Sequence, residues 1–222
     1  MKKEKIVILC DFDGTIVNVD TGELVLKKFG EGDWQTLDIM LEKEEIQLEQ
    51  CLIEQYSMVK FPSEKILEVL DQEPIAIRPN FTRLVEYCKN NNFEFVVTTG
   101  GIDFCIEHIL KTNGLSGALK IHAGKTISTS EGIKIHFPKL SEESSINFKE
   151  DLLNYYHDLK YEVVYIGDGS SDYEPAKKAD LVFSVEKSKL SRMCHERSIS
   201  HKQFNDFDEV IQGIEKWIGS PP

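Results

Sequence analysis

The stretch that most constrains this chain is Ile6-Val7-Ile8-Leu9-Cys10-Asp11-Phe12-Asp13-Gly14-Thr15, an apolar run of strand length ending in two aspartates spaced by two. Continuous Ile, Val and Leu is what a strand covered on both faces requires, as in a parallel sheet flanked by helices. Open α/β sheets place their ligands at the carboxyl ends of such strands. In extended backbone, residues two apart point the same way, so Asp11 and Asp13 can address one spot. Gly14 supplies freedom to turn there, and Thr15 can hydrogen-bond the neighbouring loop. Two carboxylates beside a flexible turn suit a hard cation such as Mg²⁺ and leave one oxygen free to attack. Taken alone, the stretch also reads as an ordinary acidic turn, since Asp-Gly is a common turn signal.

A chain of 222 residues can bury a full core, as one domain or as a domain carrying a smaller insertion. Its net charge of -12 opposes general binding to nucleic acid or to anionic membranes, both of which need clustered Lys and Arg. An acidic protein with a phosphate substrate needs local cations to offset that field. No apolar stretch reaches the length that spans a bilayer. The basic start, Met1 to Lys5, is followed by an apolar run too short for a secretory signal, so a cytoplasmic location is expected. The five cysteines (Cys10, Cys51, Cys88, Cys105, Cys194) are scattered and never form a Cys-x-x-Cys pair, which argues against a disulfide framework or a zinc site.

Beyond Thr15 the pattern turns helical. Asp20-Thr21 reads as a helix start, Trp34 to Lys60 keeps helical periodicity, and Pro62-Ser63 opens a short helix to Leu70. Residues 18 to 77 therefore read as a small all-helical unit interrupting an α/β chain, with 1–17 and 78–222 as its core. The acidic run Glu42 to Glu45 and the pair Glu142-Glu143 read as solvated helix faces. The α/β rhythm resumes with a helix over Phe81 to Asn91, a strand over Phe93 to Thr98 and a helix over Ile102 to Lys111. One strand and a hairpin fall between Leu119 and Phe137. A helix over Ser144 to Lys160, a strand over Tyr161 to Ile166, a helix with Pro175 in its first turn, a strand over Leu181 to Ser184 and a closing helix over Val210 to Trp217 complete the pattern. The fold class is α/β: a doubly wound, mostly parallel, Rossmann-like sheet with an inserted small helical cap.

Four groups sit at strand ends or at a helix start: Asp11/Asp13, Thr99, Lys149 and Asp168/Asp172. A parallel sheet gathers these loops on one edge. Such a set can attack phosphorus with a carboxylate, protonate a leaving alkoxide with a second acid and bind phosphoryl oxygens with a hydroxyl, an ammonium and backbone N–H groups. Gly100-Gly101 at a helix N-terminus lets the backbone approach a phosphate closely.

The motifs Asp11-Phe12-Asp13-Gly14-Thr15, Thr99-Gly100-Gly101, Lys149 and Gly167-Asp168-Gly169-Ser170-Ser171-Asp172 resemble, in that order, the four motifs of the haloacid dehalogenase superfamily phosphatases. The match runs from Ile6 to about Ser184. The helical insert resembles the first-type cap of the phosphoserine-phosphatase-like branch. Within that branch, Ile77-Arg78 through Phe104 and Gly167 through Ala176 are most similar to the methionine-salvage enol-phosphate phosphatases. The resemblance implies Asp11 as nucleophile and Mg²⁺ ligand, and Asp13 as general acid/base with its backbone carbonyl on Mg²⁺. It implies Thr99 and the Gly100 amide, with Gly101 and Thr15, around the phosphate, Lys149 as the neutralising cation, and Asp168 on the metal. Asp172 supports Lys149 or the metal shell. Other readings stand beside these. Thr98 rather than Thr99 faces the site, Lys149 is a solvated helix residue, and Asp172 complements a helix dipole. Asp20 either enters the site from the cap or simply caps the helix beginning at Thr21.

The expected substrate is a small phosphorylated metabolite, handled by a monomer or homodimer. Phosphoserine carries its own carboxylate, for which an arginine is the natural bidentate partner, and no arginine lies between Asp13 and Ile77. Leu and Ile side chains with Met40, Met58 or Tyr56 in the cap suit an apolar or thioether tail. Phosphoserine hydrolysis and phosphotransfer to an alcohol are the rival enzymatic readings. A receiver-like signalling domain is the non-enzymatic one, though it needs neither Asp13 nor a helical insert.

Overall fold

The computed structural model describes residues 5–115, 117, 119–129, 131–137, 139–140 and 145–219. Residues 1–4 of the basic start and Glu142-Glu143 lie outside the described residues. The first half of the chain runs β1 (Ile6–Cys10), α1 (Thr21–Phe29), α2 (Trp34–Glu42), α3 (Leu48–Ser57), α4 (Ser63–Leu70), α5 (Phe81–Asn90), β2 (Glu94–Thr99) and α6 (Asp103–Thr112). It continues through β3 (Lys120–Ala123), β4 (Lys125–Thr129), β5 (Gly132–His136), α7 (Phe148–Asp158) and β6 (Glu162–Gly167). A 3-10 turn (Ser170–Asp172) leads into α8 (Tyr173–Lys178), β7 (Leu181–Val185), α9 (Lys189–Glu196), β8 (Lys202–Phe204) and α10 (Phe207–Gly219).

Six strands form one parallel sheet in the order β3-β2-β1-β6-β7-β8, with β1 central between β2 and β6. Alternation along β1 explains its unbroken apolar sequence. Ile6, Ile8 and Cys10 pack with α5, α6 and α10 on one face, while Val7 and Leu9 pack with Leu152, Leu153 and Tyr156 of α7 on the other. All five residues are buried, and each large aliphatic side chain so placed contributes on the order of 2 kcal/mol. The sheet is thus doubly wound, and the carboxyl ends of β1, β2 and β6 emerge side by side.

The chain leaves the sheet after β1 and returns beside its own exit. Val17 and Ile77 form an isolated antiparallel bridge, and Asn18 N–H donates to the Ala76 carbonyl at 3.1 Å. Between them, Val25, Leu26, Phe29, Trp34, Tyr56, Val59, Ile66 and Leu70 make a second apolar cluster. Ile133 and Ile135 of the β4-β5 hairpin join this cluster, so the hairpin packs on the helical segment although it lies far from it in sequence. Gly132 makes the approach possible: at φ +128° its Cα faces Ser57, and a Cβ there would lie 2.1 Å from the Ser57 carbonyl oxygen.

The helical periodicity from Trp34 to Lys60 resolves into two helices rather than one. Glu42 ends α2, and Glu44, at φ +60°, turns the chain, so the acidic run forms a helix end and a turn instead of a helix face. Helix α9 and strand β8 add to the expected elements. The remaining elements match within a few residues at their ends.

Candidate active site

Asp11, Asp13, Gly14, Thr99, Gly100, Gly101, Lys149 and Asp168 line a single cavity of about 430 Å³ at the carboxyl edge of the sheet. Each arrives there by a local rule. Asp11 follows the last residue of β1, and its N–H continues the ladder to the Ile166 carbonyl of β6 at 2.9 Å. Lys149 sits in the first turn of α7, which Asn147 caps by accepting from Lys149 N–H at 3.1 Å and Glu150 N–H at 2.9 Å. Thr99 is the last residue of β2, and its hydroxyl accepts from Gly101 N–H at 3.0 Å, which shapes the loop into α6. Thr98, on the other face, does not line the cavity.

Lys149 is buried between two carboxylates. Its Nζ lies 2.9 Å from Asp11 Oδ1 and 2.7 Å from Asp172 Oδ1, with a side-chain exposure of 2%. Burial works against the ammonium, but Asp11 and Asp172 outweigh it and hold its pKa above the usual lysine range. The reading of Lys149 as a solvated helix residue is therefore excluded.

Asp172 is fully buried and spoken for. Its Oδ1 accepts from Lys149 and from the Tyr165 hydroxyl at 2.8 Å, and its Oδ2 accepts from Asp168 N–H at 3.0 Å and Gly169 N–H at 2.9 Å. Burial pushes its carboxyl up, yet Lys149 and these donors prevail and keep it below the usual carboxylate range. It organises the loop after β6 rather than standing as a plain helix-start charge.

Thr15 is completely buried, and it makes the hydrogen bond to a neighbouring loop that its place after Gly14 leads one to expect. Its hydroxyl donates to Asp168 Oδ1 at 2.9 Å, tying the loop after β1 to the loop after β6. The turn itself needs Gly14, whose φ is +69° and whose absent Cβ would lie 2.4 Å from Asp168 Oδ2. Gly101 N–H is committed to the Thr99 hydroxyl, so of that pair the Gly100 amide is the one expected to face a phosphate. Asp20 caps α1, its Oδ1 accepting from Glu23 N–H at 2.7 Å, and it also lines the cavity, so both readings of it hold geometrically.

Three further groups shape the site. Arg78 Nε and Nη2 donate to the Thr15 and Gly14 carbonyls, each at 2.7 Å, and clamp the turn after β1. The position of Arg78, immediately after the insert rejoins the sheet, was the available signal. Thr21 N–H and hydroxyl both donate to Asp13 Oδ1, at 2.8 and 2.6 Å. Tyr56, expected as apolar lining, donates its hydroxyl to the Gly100 carbonyl at 3.1 Å.

Electrostatically the site is over-supplied with negative charge. Burial, then repulsion from Asp172, raises the Asp11 carboxyl well above its ordinary value. Burial, then Asp20, pushes Asp13 up to about 7, and burial with Asp172 pushes Asp168 up to about 6. Asp11, Asp168 and Asp172 each bring one oxygen within 4.8 Å of the others. Hard oxygen ligands with excess negative charge fit Mg²⁺, and a divalent cation would relieve the repulsion. Among the described residues no helix is long and apolar enough to cross a membrane.

Comparison with known proteins gives the family and the likeness of fold. A family model described as haloacid dehalogenase-like hydrolase matches residues 8–177. A 2-hydroxy-3-keto-5-methylthiopentenyl-1-phosphate phosphatase of Brevibacillus brevis is 28% identical over 219 residues, covering 96% of each chain. Its counterpart in Bacillus pumilus is 25% identical, covering 96% of this chain and 95% of its own. A substrate-bound phosphoserine phosphatase structure superposes with a TM-score of 0.69 at 22% identity, covering 95% of this chain and 98% of that one, a likeness of fold. With most of its length matched by the family model and a parallel α/β sheet carrying the motifs at its edge, the chain belongs to the haloacid dehalogenase-like hydrolase family.

Proposed function

We propose that the chain is a Mg²⁺-dependent phosphomonoesterase that carries the phosphoryl group of a small metabolite transiently on Asp11. The observation that carries this reading is the buried chain of contacts Asp11–Lys149–Asp172, at 2.9 and 2.7 Å, beside Asp13 and Asp168 on the floor of one cavity. Asp11 Oδ1 is held by Phe12 N–H at 2.8 Å and by Lys149, so Oδ2 is the oxygen assigned to attack. The new Oδ2–P bond forms as the bond from phosphorus to the leaving alkoxide breaks. Asp13, raised to about 7 and so able to hold a proton near neutrality, gives that proton to the departing oxygen. The Asp13 carboxylate then takes a proton from water as the water oxygen attacks phosphorus, and Asp11 and inorganic phosphate are released. Lys149 balances charge between nucleophile and phosphate, while the Thr99 hydroxyl and the Gly100 amide face the phosphoryl oxygens. Asp11, Asp168 and the Asp13 carbonyl would hold Mg²⁺, which when bound neutralises phosphoryl oxygen charge. Asp172 serves chiefly to aim Lys149.

Residues 18–77 are proposed as a cap that closes over the phosphate, with the Val17–Ile77 bridge as its stem. The 2-hydroxy-3-keto-5-methylthiopentenyl-1-phosphate named for the curated relatives is the proposed substrate, supported by the apolar cap lining of Leu26, Trp34, Leu41 and Leu52. A cytoplasmic location is proposed with it. The test is a screen of phosphorylated metabolites with Mg²⁺, run beside Asp11→Asn and with and without added alcohols. Phosphate release lost in Asp11→Asn is the expected result. Equal release by the variant overturns the reading, and transfer to the alcohols would make the protein a phosphotransferase.

A further inference from the structure

The cavity above Asp11 differs in charge and polarity from floor to roof. Its roof, contributed by α1, α2 and α3, is apolar at Leu26, Trp34 and Leu52 and acidic at Glu23, Asp38 and Glu42. Two ammonium groups line the whole cavity among the described residues. Lys149 is enclosed by Asp11 and Asp172, and Lys189, from α9, lies 2.6 Å from Glu42 Oε1. Glu23 is paired with Lys27 at 2.9 Å. Asp38 differs from both: its partner is the Gln55 side-chain amide at 2.8 Å, itself buried and anchored on the Trp34 carbonyl at 3.2 Å. A neutral amide fixes the Asp38 carboxylate without cancelling its charge.

We infer that this roof is a charge filter: the substrate's phosphate is its sole anion, and the rest is a neutral alcohol with an apolar part, Asp38 being the residue that turns away a second carboxylate. This deepens the phosphomonoesterase reading and rests on it. A substrate carboxylate entering beside Asp38, Glu23 and Glu42, all three exposed to solvent at the cavity mouth, would meet like charge with both lining ammonium groups already paired. A hydroxyl in the same place donates to Asp38 and costs nothing electrostatically, and a hydrocarbon or thioether segment is accommodated by Leu26, Trp34 and Leu52. The mutual influence of the roof acids agrees with this placement: the Asp38 carboxyl is raised by burial first and by Glu23 and Glu42, against the Gln55 hydrogen bond and the more distant Lys189 charge.

The test compares glycerol 1-phosphate with 3-phosphoglycerate, which differ by a CH2OH group in place of a carboxylate. With Mg²⁺, kcat/KM of the parent is expected to favour glycerol 1-phosphate by about tenfold or more, the order of one like-charge contact in a partly solvated cavity. Asp38→Asn is expected to shrink that ratio by about fivefold, Glu42→Gln to shrink it by freeing Lys189, and Asp38→Glu to retain it. The same ratio is read as Kd by calorimetry in an Asp11→Asn background, which needs no turnover. Equal preference for the two esters in the parent, or a ratio unmoved by both Asp38→Asn and Glu42→Gln, overturns the filter. Failure of the phosphomonoesterase reading looks different: neither ester nor p-nitrophenyl phosphate releases phosphate and neither ester binds, and the filter then falls with it.

Discussion

The Tyr56 hydroxyl in α3 donates to the Gly100 carbonyl in the loop after β2, at 3.1 Å. The other side of the same peptide unit, Gly101 N–H, donates to the Thr99 hydroxyl at 3.0 Å, so the plane of the Gly100–Gly101 peptide is fixed from both ends. One of those ends belongs to the helical insert. The orientation of the loop after β2 therefore depends on α3 being docked against it.

Tyr56→Phe removes the donor and leaves a carbonyl unpaired in a tight site. A neutral hydrogen bond is worth about 1 kcal/mol, so kcat/KM is expected to fall about fivefold to tenfold while the ring still fills its place in the core. Steady-state kinetics with a thermal melt checks this. Unchanged kcat/KM would show that the contact does not position the loop.

Asp168 and Asp172 are separated by their partners, and the two asparagine variants separate them in solution. Asp168→Asn is expected to raise the Mg²⁺ concentration for half-maximal activity by about tenfold or more, because it removes a charged group from the proposed metal site. Asp172→Asn is expected to lower kcat by about a hundredfold with that concentration changed little, since it loosens Lys149 and the loop N–H groups. A Mg²⁺ titration of each variant, with EDTA as the zero point, is the measurement. A large shift for Asp172→Asn would make it a metal ligand instead.

Much of the fold was legible because its strongest signals are local. Asp11 and Asp13 follow a strand whose burial on both faces demands an uninterrupted apolar run, and Asp20, Asn147 and Pro62-Ser63 mark helix starts by rules of backbone chemistry. Helix α9 was hidden because Leu190, Met193 and Cys194 give a short stripe in a polar segment, and β8 has only three residues. The break at Glu44 has no sequence signal, because a positive φ at glutamate leaves no trace in periodicity. Within the site, Asp11, Asp13, Lys149 and Asp168 follow from motif spacing. Thr15 is anticipated only as a hydrogen bond to some neighbouring loop, and the roles of Arg78 and Tyr165 do not follow at all, because one depends on a contact more than sixty residues away in sequence and the other on a strand side chain facing inward.

His122 supplies a pH effect outside the site. Burial beneath Phe148 lowers its pKa from 6.5 to about 4, outweighing the favourable Asp151 charge, while Lys120 and Lys125 add to the depression and the Phe148 backbone opposes it. The unfolded chain binds a proton on this ring below pH 6.5, and the folded chain does not until about pH 4. Stability is therefore full above 6.5, falls as pH drops through that window by up to roughly 3 kcal/mol, and stops falling from this cause near 4. Urea midpoints at pH 7.5 and pH 5 are expected to lie closer together in His122→Leu than in the parent. Equal spacing in both would remove His122 as the cause.

The most direct measurement is a search for phosphorus on Asp11 during turnover. The Mg²⁺-loaded protein is mixed with a hydrolysed phosphomonoester, quenched in acid within the first turnovers, and the tryptic segment 6–27 is sequenced by mass spectrometry. A phosphoryl group on Asp11, absent from Asp11→Asn together with the activity, is the predicted result. Turnover with the group on Asp13, or with no modified segment while Asp11→Asn works at the parental rate, would contradict it.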